Sequence, residues 1–249
     1  MIPLDDRGLL LGDGLFETML AVDGAIPAIE AHLDRMAAGC VTLGLPALDR
    51  EAARALCLAA PPVSGRAAVR LTLTAGSGGR GLDRPAEIIP RLVATAALSP
   101  RVETPATLII AQTRRNEGSP ASRLKTLSYV DGVLARAEAR GAGADEAVML
   151  NNRGEVACAA AANLFWIEGE RVFTPALECG VLAGITRASL MSAVEVAEAV
   201  ADRARLEAAD AVFLTNSLIG IRPASRLGER TFAPHALVER LGAHFSSPA

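Results

Sequence analysis

One amine stands alone in this chain. Of its 25 cationic residues 24 are arginine, and the single lysine, Lys125, lies in the stretch RLKTLSY (residues 123–129). A lysine amine condenses with an aldehyde to an imine, a job that arginine cannot take over. Most lysines are solvated surface charges. Lys125 instead sits among Thr, Ser and Tyr, just past RRNEGSPASR (114–123). That polar, Gly- and Pro-containing stretch reads as a linker between two lobes, and pockets form at such junctions. The pattern points to an imine-forming lysine, with a solvated surface charge as the alternative.

Three further stretches offer groups for anions. In LAGITRASLM a glycine leads into a helix with Ile185 and Thr186 in its first turn. The free N–H groups and dipole of such an end attract phosphate, although the same pattern also describes an ordinary helix start. FLTNSLIG sets Thr215, Asn216 and Ser217 at the end of a strand, where they can hold a phosphate or cap a turn. GSGGRG (76–81) lacks the GK[ST] ending of a P-loop, and Arg80 at its tip is either a fork for a substrate carboxylate or a solvated residue on a flexible hairpin. His32, His235 and His244 have no carboxylate or cysteine at ligand spacing and read as structural or surface residues; no metal site is expected.

These groups need a scaffold, and 249 residues with 51% hydrophobic and 21% charged side chains make a packed globular chain. A net charge of -3 and 3% aromatics give no basis for nucleic-acid binding. The opening MIPLDDRG has no apolar leader segment, no apolar run is long enough to span a bilayer, and the four cysteines show no CxxC pair. A reduced, cytoplasmic compartment without a membrane partner is the expectation. Periodicity predicts strands over 15–22, 66–75, 89–98, 106–113, 147–151, 155–159, 163–169 and 210–217. It predicts helices over 28–43, about 49–60, 128–142 and a long one over 184–200. The fold class is mixed α/β in two lobes, divided as 1–113, a loop over 114–124, and 125–249.

An amine, a phosphate nest and a carboxylate-binding arginine resemble the parts of a pyridoxal phosphate enzyme acting on amino acids. The sequence resembles the class IV aminotransferase family (fold type IV) through eight ordered stretches: DRGLLLGDGLFET (6–18), EAHLDRM (30–36), GSGGRG, RLKTLSY, GADEAVMLN (143–151), AANLFW (161–166), GVLAGITR (180–187) and FLTNSLIGIRP (213–223). The resemblance implies a small N-terminal α/β domain, a larger C-terminal domain with a pseudo-barrel of strands, pyridoxal 5'-phosphate as cofactor, a small amino substrate and a homodimer. It makes Lys125 the Schiff-base lysine and proton shuttle. It places Arg35, Ile185, Thr186, Asn216 and Ser217 around the cofactor phosphate and Tyr129 near the phenolic oxygen. Arg80 falls where D-amino acid aminotransferases bind a carboxylate, and Phe16 where they tend to carry a tyrosine.

Two departures accompany the resemblance. The chain starts just before the DRG stretch, so the family's usual first strand is missing or shortened. More seriously, the family places a glutamate five residues before the asparagine of the NLF stretch, where it keeps the cofactor's ring nitrogen protonated; here that position is Cys158. Glu155 has the opposite strand parity and should point away unless a bulge intervenes. A thiol is a weak donor without charge, so the ring nitrogen is expected to be less protonated and carbanion-dependent steps slower. Within the family, GSGGRG and AANLFW resemble 4-amino-4-deoxychorismate lyase, with a branched-chain or D-amino acid aminotransferase as the alternative. A non-catalytic protein that has drifted from the family is a third reading.

Overall fold

The computed structural model describes residues 2–246. Two compact units emerge. One runs to Pro100 and takes back Leu124–Ser128; the other holds Arg101–Arg123 and the chain from Tyr129 onward.

The first unit begins with a short helix, α1 (Arg7–Leu11), and the strand β1 (Gly14–Val22). Helices α2 (Ile29–Leu43) and α3 (Arg50–Ala59) follow, then β2 (Arg66–Thr74) and β3 (Arg91–Leu98). The strands form an antiparallel sheet in the order β1-β2-β3. Ile29, Leu33, Met36 and Cys40 recur at helical spacing along α2 and share one core with Leu15, Met19, Ala21, Leu71 and Leu73 of the sheet. Burying each large side chain there contributes about 2 kcal/mol. Gly39 lets Leu15 pack close to α2: its side chain would lie 2.7 Å from an added Cβ.

The second unit contains β4 (Ala106–Ile110), the turn-length α4 (Pro120–Arg123), α5 (Val130–Gly141), β5 (Glu146–Leu150), β6 (Val156–Ala159), β7 (Asn163–Glu168) and β8 (Arg171–Pro175). It continues with α6 (Ile185–Ala193), β9 (Val196–Ala199), α7 (Arg203–Glu207), β10 (Ala211–Asn216), β11 (Gly220–Leu227), β12 (Arg230–Thr231) and α8 (Ala236–Ser246). Its nine-stranded sheet runs β6-β5-β4-β11-β10-β7-β8-β9, with β12 beside β11. Three pairs, β4–β5, β4–β11 and β8–β9, are parallel and the rest antiparallel. Trp166, Phe173, Leu164, Val212 and Leu214 fill one core of this sheet; Phe165 and Phe213, stacked at 5.1 Å, anchor another with Leu190 of α6.

Three expectations change. The long helix over 184–200 stops at Ala193, and Val196–Ala199 becomes β9, because Val172–Pro175 of β8 offers it a parallel ladder. That stretch satisfies helical and strand spacing alike, and tertiary pairing decides. The first boundary falls after Pro100 instead of 113, because β4 is hydrogen-bonded between β5 and β11 of the second unit. The stretch 114–123 is no loose linker. It includes α4, and Arg115 donates through Nε to the Gly180 carbonyl (3.0 Å) and through Nη2 to that of Ser122. The expectation for His244 lies outside the described side chains. No described helix is long and apolar enough to cross a membrane, and the described residues hold no His/Cys/Asp/Glu group able to bind a metal ion.

Candidate active site

In the first unit, β1 positions the lysine. Residues 125–127 run antiparallel along the free edge of β1: the Phe16 N–H donates to the Lys125 carbonyl (2.9 Å), Leu127 N–H to that of Gly14 (3.0 Å), and Leu15 bridges Thr126. Lys125 is thereby a cross-strand neighbour of Phe16, and both side chains project from the same face. The Lys125 ammonium lies 4.3 Å from the Phe16 ring centroid, and the Arg70 guanidinium 3.8 Å from it. A flat ring with a cation near it from each of these two side chains is an arrangement that cation–π attraction favours, and it places the half-buried Lys125 amine beside Phe16.

The opposite face of β1 turns Glu17 toward α2, into a core that leaves it 1% exposed. Such a charge requires partners. Arg35 donates through Nε to Oε1 (2.8 Å) and through Nη2 to Oε2 (2.5 Å), and His32 Nδ1 lies 2.7 Å from Oε2. Burial works to raise the Glu17 carboxyl, but the Arg35 and His32 hydrogen bonds overcome it and hold the group below its usual range. The structure thus brings Arg35 together with Glu17 and His32, a triad that sequence reasoning missed. The only available signal was that all three fall in two of the resembling stretches.

The 76–84 loop is braced from within. Arg7, 4% exposed, donates to the carbonyls of Asp83 (3.0 Å) and Leu82 (3.0 Å) and to Asp13 (2.9 Å), while Arg84 grips the same Asp13 carboxylate (2.6 and 2.9 Å). Gly79 has φ 81° and lies so close to the Asp83 carbonyl that a Cβ would sit 2.1 Å from it. Arg80 is exposed at the tip of this braced loop, which is therefore not the flexible hairpin that its glycines suggest.

In the second unit, α6 begins at Gly184 without a side-chain cap. Among described helices of eight residues or more, it alone has neither a capping aspartate nor an acidic residue in its first turn; α3 has Asp49 and Glu51, α2 Glu30, α5 Asp131 and α8 Glu239. The first-turn amides, with half-buried Ile185 and Thr186, are left to an anion. Asn216 is spent on structure: its Nδ2 donates to the Ala161 carbonyl (3.0 Å) and its Oδ1 accepts from the Leu218 and Ile219 amides (2.9 Å each). Ser217 follows it in the same turn. Tyr129 opens α5 as its N-cap residue and packs against Gly132. The α6 first turn and Ser217 fit the phosphate of the cofactor that the resemblance implies.

The ring-nitrogen position does not fit so well. Cys158 on β6 pairs with Met149, and the register shift before Leu150↔Val156 leaves Ala157 as a bulge. A bulge therefore does intervene between Glu155 and Cys158. Even so, Glu155 is engaged elsewhere: its carboxylate accepts from Arg153 (2.7 and 2.9 Å) and Asn151 (2.6 Å), which hold it below its usual value. Burial pushes the Cys158 thiol up, against the pull of Arg115, so a neutral thiol stands where the family has a carboxylate.

Residues 14–227 match the family model for amino-transferase class IV. The chain is 30% identical over 234 residues to the aminodeoxychorismate lyase of Vibrio harveyi, covering 90% of this chain and 86% of that one. The crystal structure of 4-amino-4-deoxychorismate lyase from Pseudomonas aeruginosa is 33% identical, with a TM-score of 0.87, and covers 98% of this chain and 94% of that one. The branched-chain aminotransferase of Thermoproteus uzoniensis, solved with norvaline, shares the fold at 22% identity, with a TM-score of 0.91 over 98% of this chain and 88% of that one. This chain belongs to the class IV aminotransferase family and is, as a member, a pyridoxal-phosphate-dependent enzyme.

Proposed function

We propose that the chain is a 4-amino-4-deoxychorismate lyase, releasing p-aminobenzoate and pyruvate on the way to folate. The observation that carries the reading is the single lysine, set beside Phe16 on the edge of β1, in a chain at least 30% identical to two lyases over nearly its whole length. Bound pyridoxal phosphate supplies an aldehyde and an electron-withdrawing ring. Lys125 provides the amine for attachment and then carries a proton to and from the substrate carbon. The first-turn amides at Ile185 and Thr186, with Ser217, take the phosphate, and the resemblance gives Arg35 a phosphate-binding role. Asn216 shapes the turn that presents Ser217, Tyr129 meets the phenolic oxygen, and Arg80 takes a substrate carboxylate. Phe16 walls the amine, and Cys158 faces the ring nitrogen.

A weak electron sink favours this reaction over transamination. Loss of pyruvate leaves an aromatic ring, and that stability assists the step which a poorly protonated ring nitrogen assists least. Four free cysteines suit a reducing cytoplasm, and the family's habit suggests a homodimer. The test is to supply 4-amino-4-deoxychorismate with pyridoxal phosphate and follow both products. Equimolar p-aminobenzoate and pyruvate support the lyase. Amino transfer from branched-chain or D-amino acids to a keto acid, without lyase turnover, replaces it by the aminotransferase.

A further inference from the structure

The asparagine that opens β7 makes contacts which its place in a strand does not require. Asn163 pairs with Thr215 in the β7–β10 ladder. Its Nδ2 donates both to the Thr215 carbonyl (2.9 Å) and to the Thr215 hydroxyl (3.0 Å). Thr215 is fully buried, so this double contact fixes both its backbone and its rotamer. The other end of the same amide reaches the start of α6: a Cβ built on Gly184 would lie 2.1 Å from Asn163 Oδ1. Gly184 has φ -72° and ψ 140°, a conformation open to any residue. Glycine is needed there for space alone, and the atom that needs the space belongs to Asn163.

One side chain therefore spans the two stretches that face the phosphate. It pins the strand residue that leads into Asn216 and Ser217, and it abuts the N-cap of α6. Two residues upstream, the Ala161 carbonyl accepts from Asn216 Nδ2 (3.0 Å), so 161–163 braces the turn at a second point. We propose that Asn163 is a positioning residue for the phosphate: it sets the spacing between the α6 amides and the 215–217 turn, and Gly184 is glycine so that the amide can reach. This inference rests on the pyridoxal phosphate reading and assigns no contact between Asn163 and the cofactor itself.

The experiment compares the affinities of pyridoxal phosphate and pyridoxal, which lacks the phosphate, for full-length Asn163→Ala, Gly184→Ala and the double variant. Absorbance titration reads the affinities, and melting curves confirm folding. Each single variant is expected to weaken pyridoxal phosphate about tenfold, the scale of one or two misplaced hydrogen bonds, and pyridoxal less than about twofold. Because Gly184→Ala acts only by pushing on Asn163, it adds less than about twofold once Asn163 is alanine. Equal losses for both ligands, no loss, or two fully additive losses overturn the assignment. A wild-type protein that takes up no pyridoxal phosphate overturns the functional reading as well; normal wild-type uptake with unaffected variants overturns this inference alone.

Discussion

The proposed phosphate end and the proposed ring-nitrogen end of the candidate site lie in the same unit and are furnished differently. At α6 and the 215–217 turn the features suit an anion: an uncapped helix start, a first turn without acid, and a braced Asx turn. At β6 the position to which the resemblance assigns a carboxylate holds the half-buried thiol of Cys158, and the nearest acid in sequence, Glu155, is committed to Arg153 and Asn151. The means of holding the cofactor and the means of tuning it are separable. A lyase assisted by an aromatic product tolerates a well-furnished phosphate end beside a weakly tuned ring-nitrogen end.

The largest test of this contrast restores the missing charge. Cys158→Glu is expected to raise turnover about tenfold with the cofactor bound, by stabilising a protonated ring nitrogen. In the cofactor-free protein the same half-buried carboxylate should cost about 1 kcal/mol, read from denaturant unfolding with and without cofactor. Unchanged turnover would show that the tuning end no longer matters. Next in size, Ser217→Ala should weaken pyridoxal phosphate about fivefold by titration, while leaving the rate at saturation near that of the wild type. A fall in the saturated rate alone would move Ser217 from grip to chemistry. Smaller still, Glu155→Gln should change turnover less than about twofold, because its carboxylate already serves the 151–155 turn. A large effect would show that Glu155 has taken over from the lost glutamate.

The smallest effect concerns the thiols in general. Burial raises Cys57 and Cys179 from 9.0 to about 11, and Cys40 also shifts up. Groups that hold their protons more tightly when folded contribute fully below pH 9 and lose that contribution as pH rises toward 11. Melting temperature should therefore hold to about pH 9 and then decline, and Cys57→Ala should flatten the decline. A melting temperature that rises over this range contradicts the assignment.

Much of the site was legible because its chemistry is local. Lys125 stood out by residue type, and the glycine before Ile185 and Thr186 by its place ahead of a helix. What escaped depended on contacts between distant residues. Glu17 and His32 meet only because β1 and α2 pack together. Arg7 holds a loop some 70 positions away (Gly78, |i−j| 71), so a glycine-rich stretch looked loose. Val196–Ala199 carried two compatible periodicities, and only β8 resolves them. The strand-parity reading of Glu155 held only in the absence of a bulge. The Ala157 bulge cancels the parity, and Arg153 and Asn151 are what hold the carboxylate away.

The central claim, that Lys125 carries the cofactor, has one direct measurement. The protein is mixed with pyridoxal phosphate, reduced with borohydride, digested and mapped by mass spectrometry, with Lys125→Ala alongside. The account predicts a single pyridoxyl adduct on Lys125, together with a visible absorbance band that reduction removes, and neither in the variant. An unmodified Lys125, or an equal adduct in Lys125→Ala, would contradict it and leave a chain that keeps the family's fold without its chemistry.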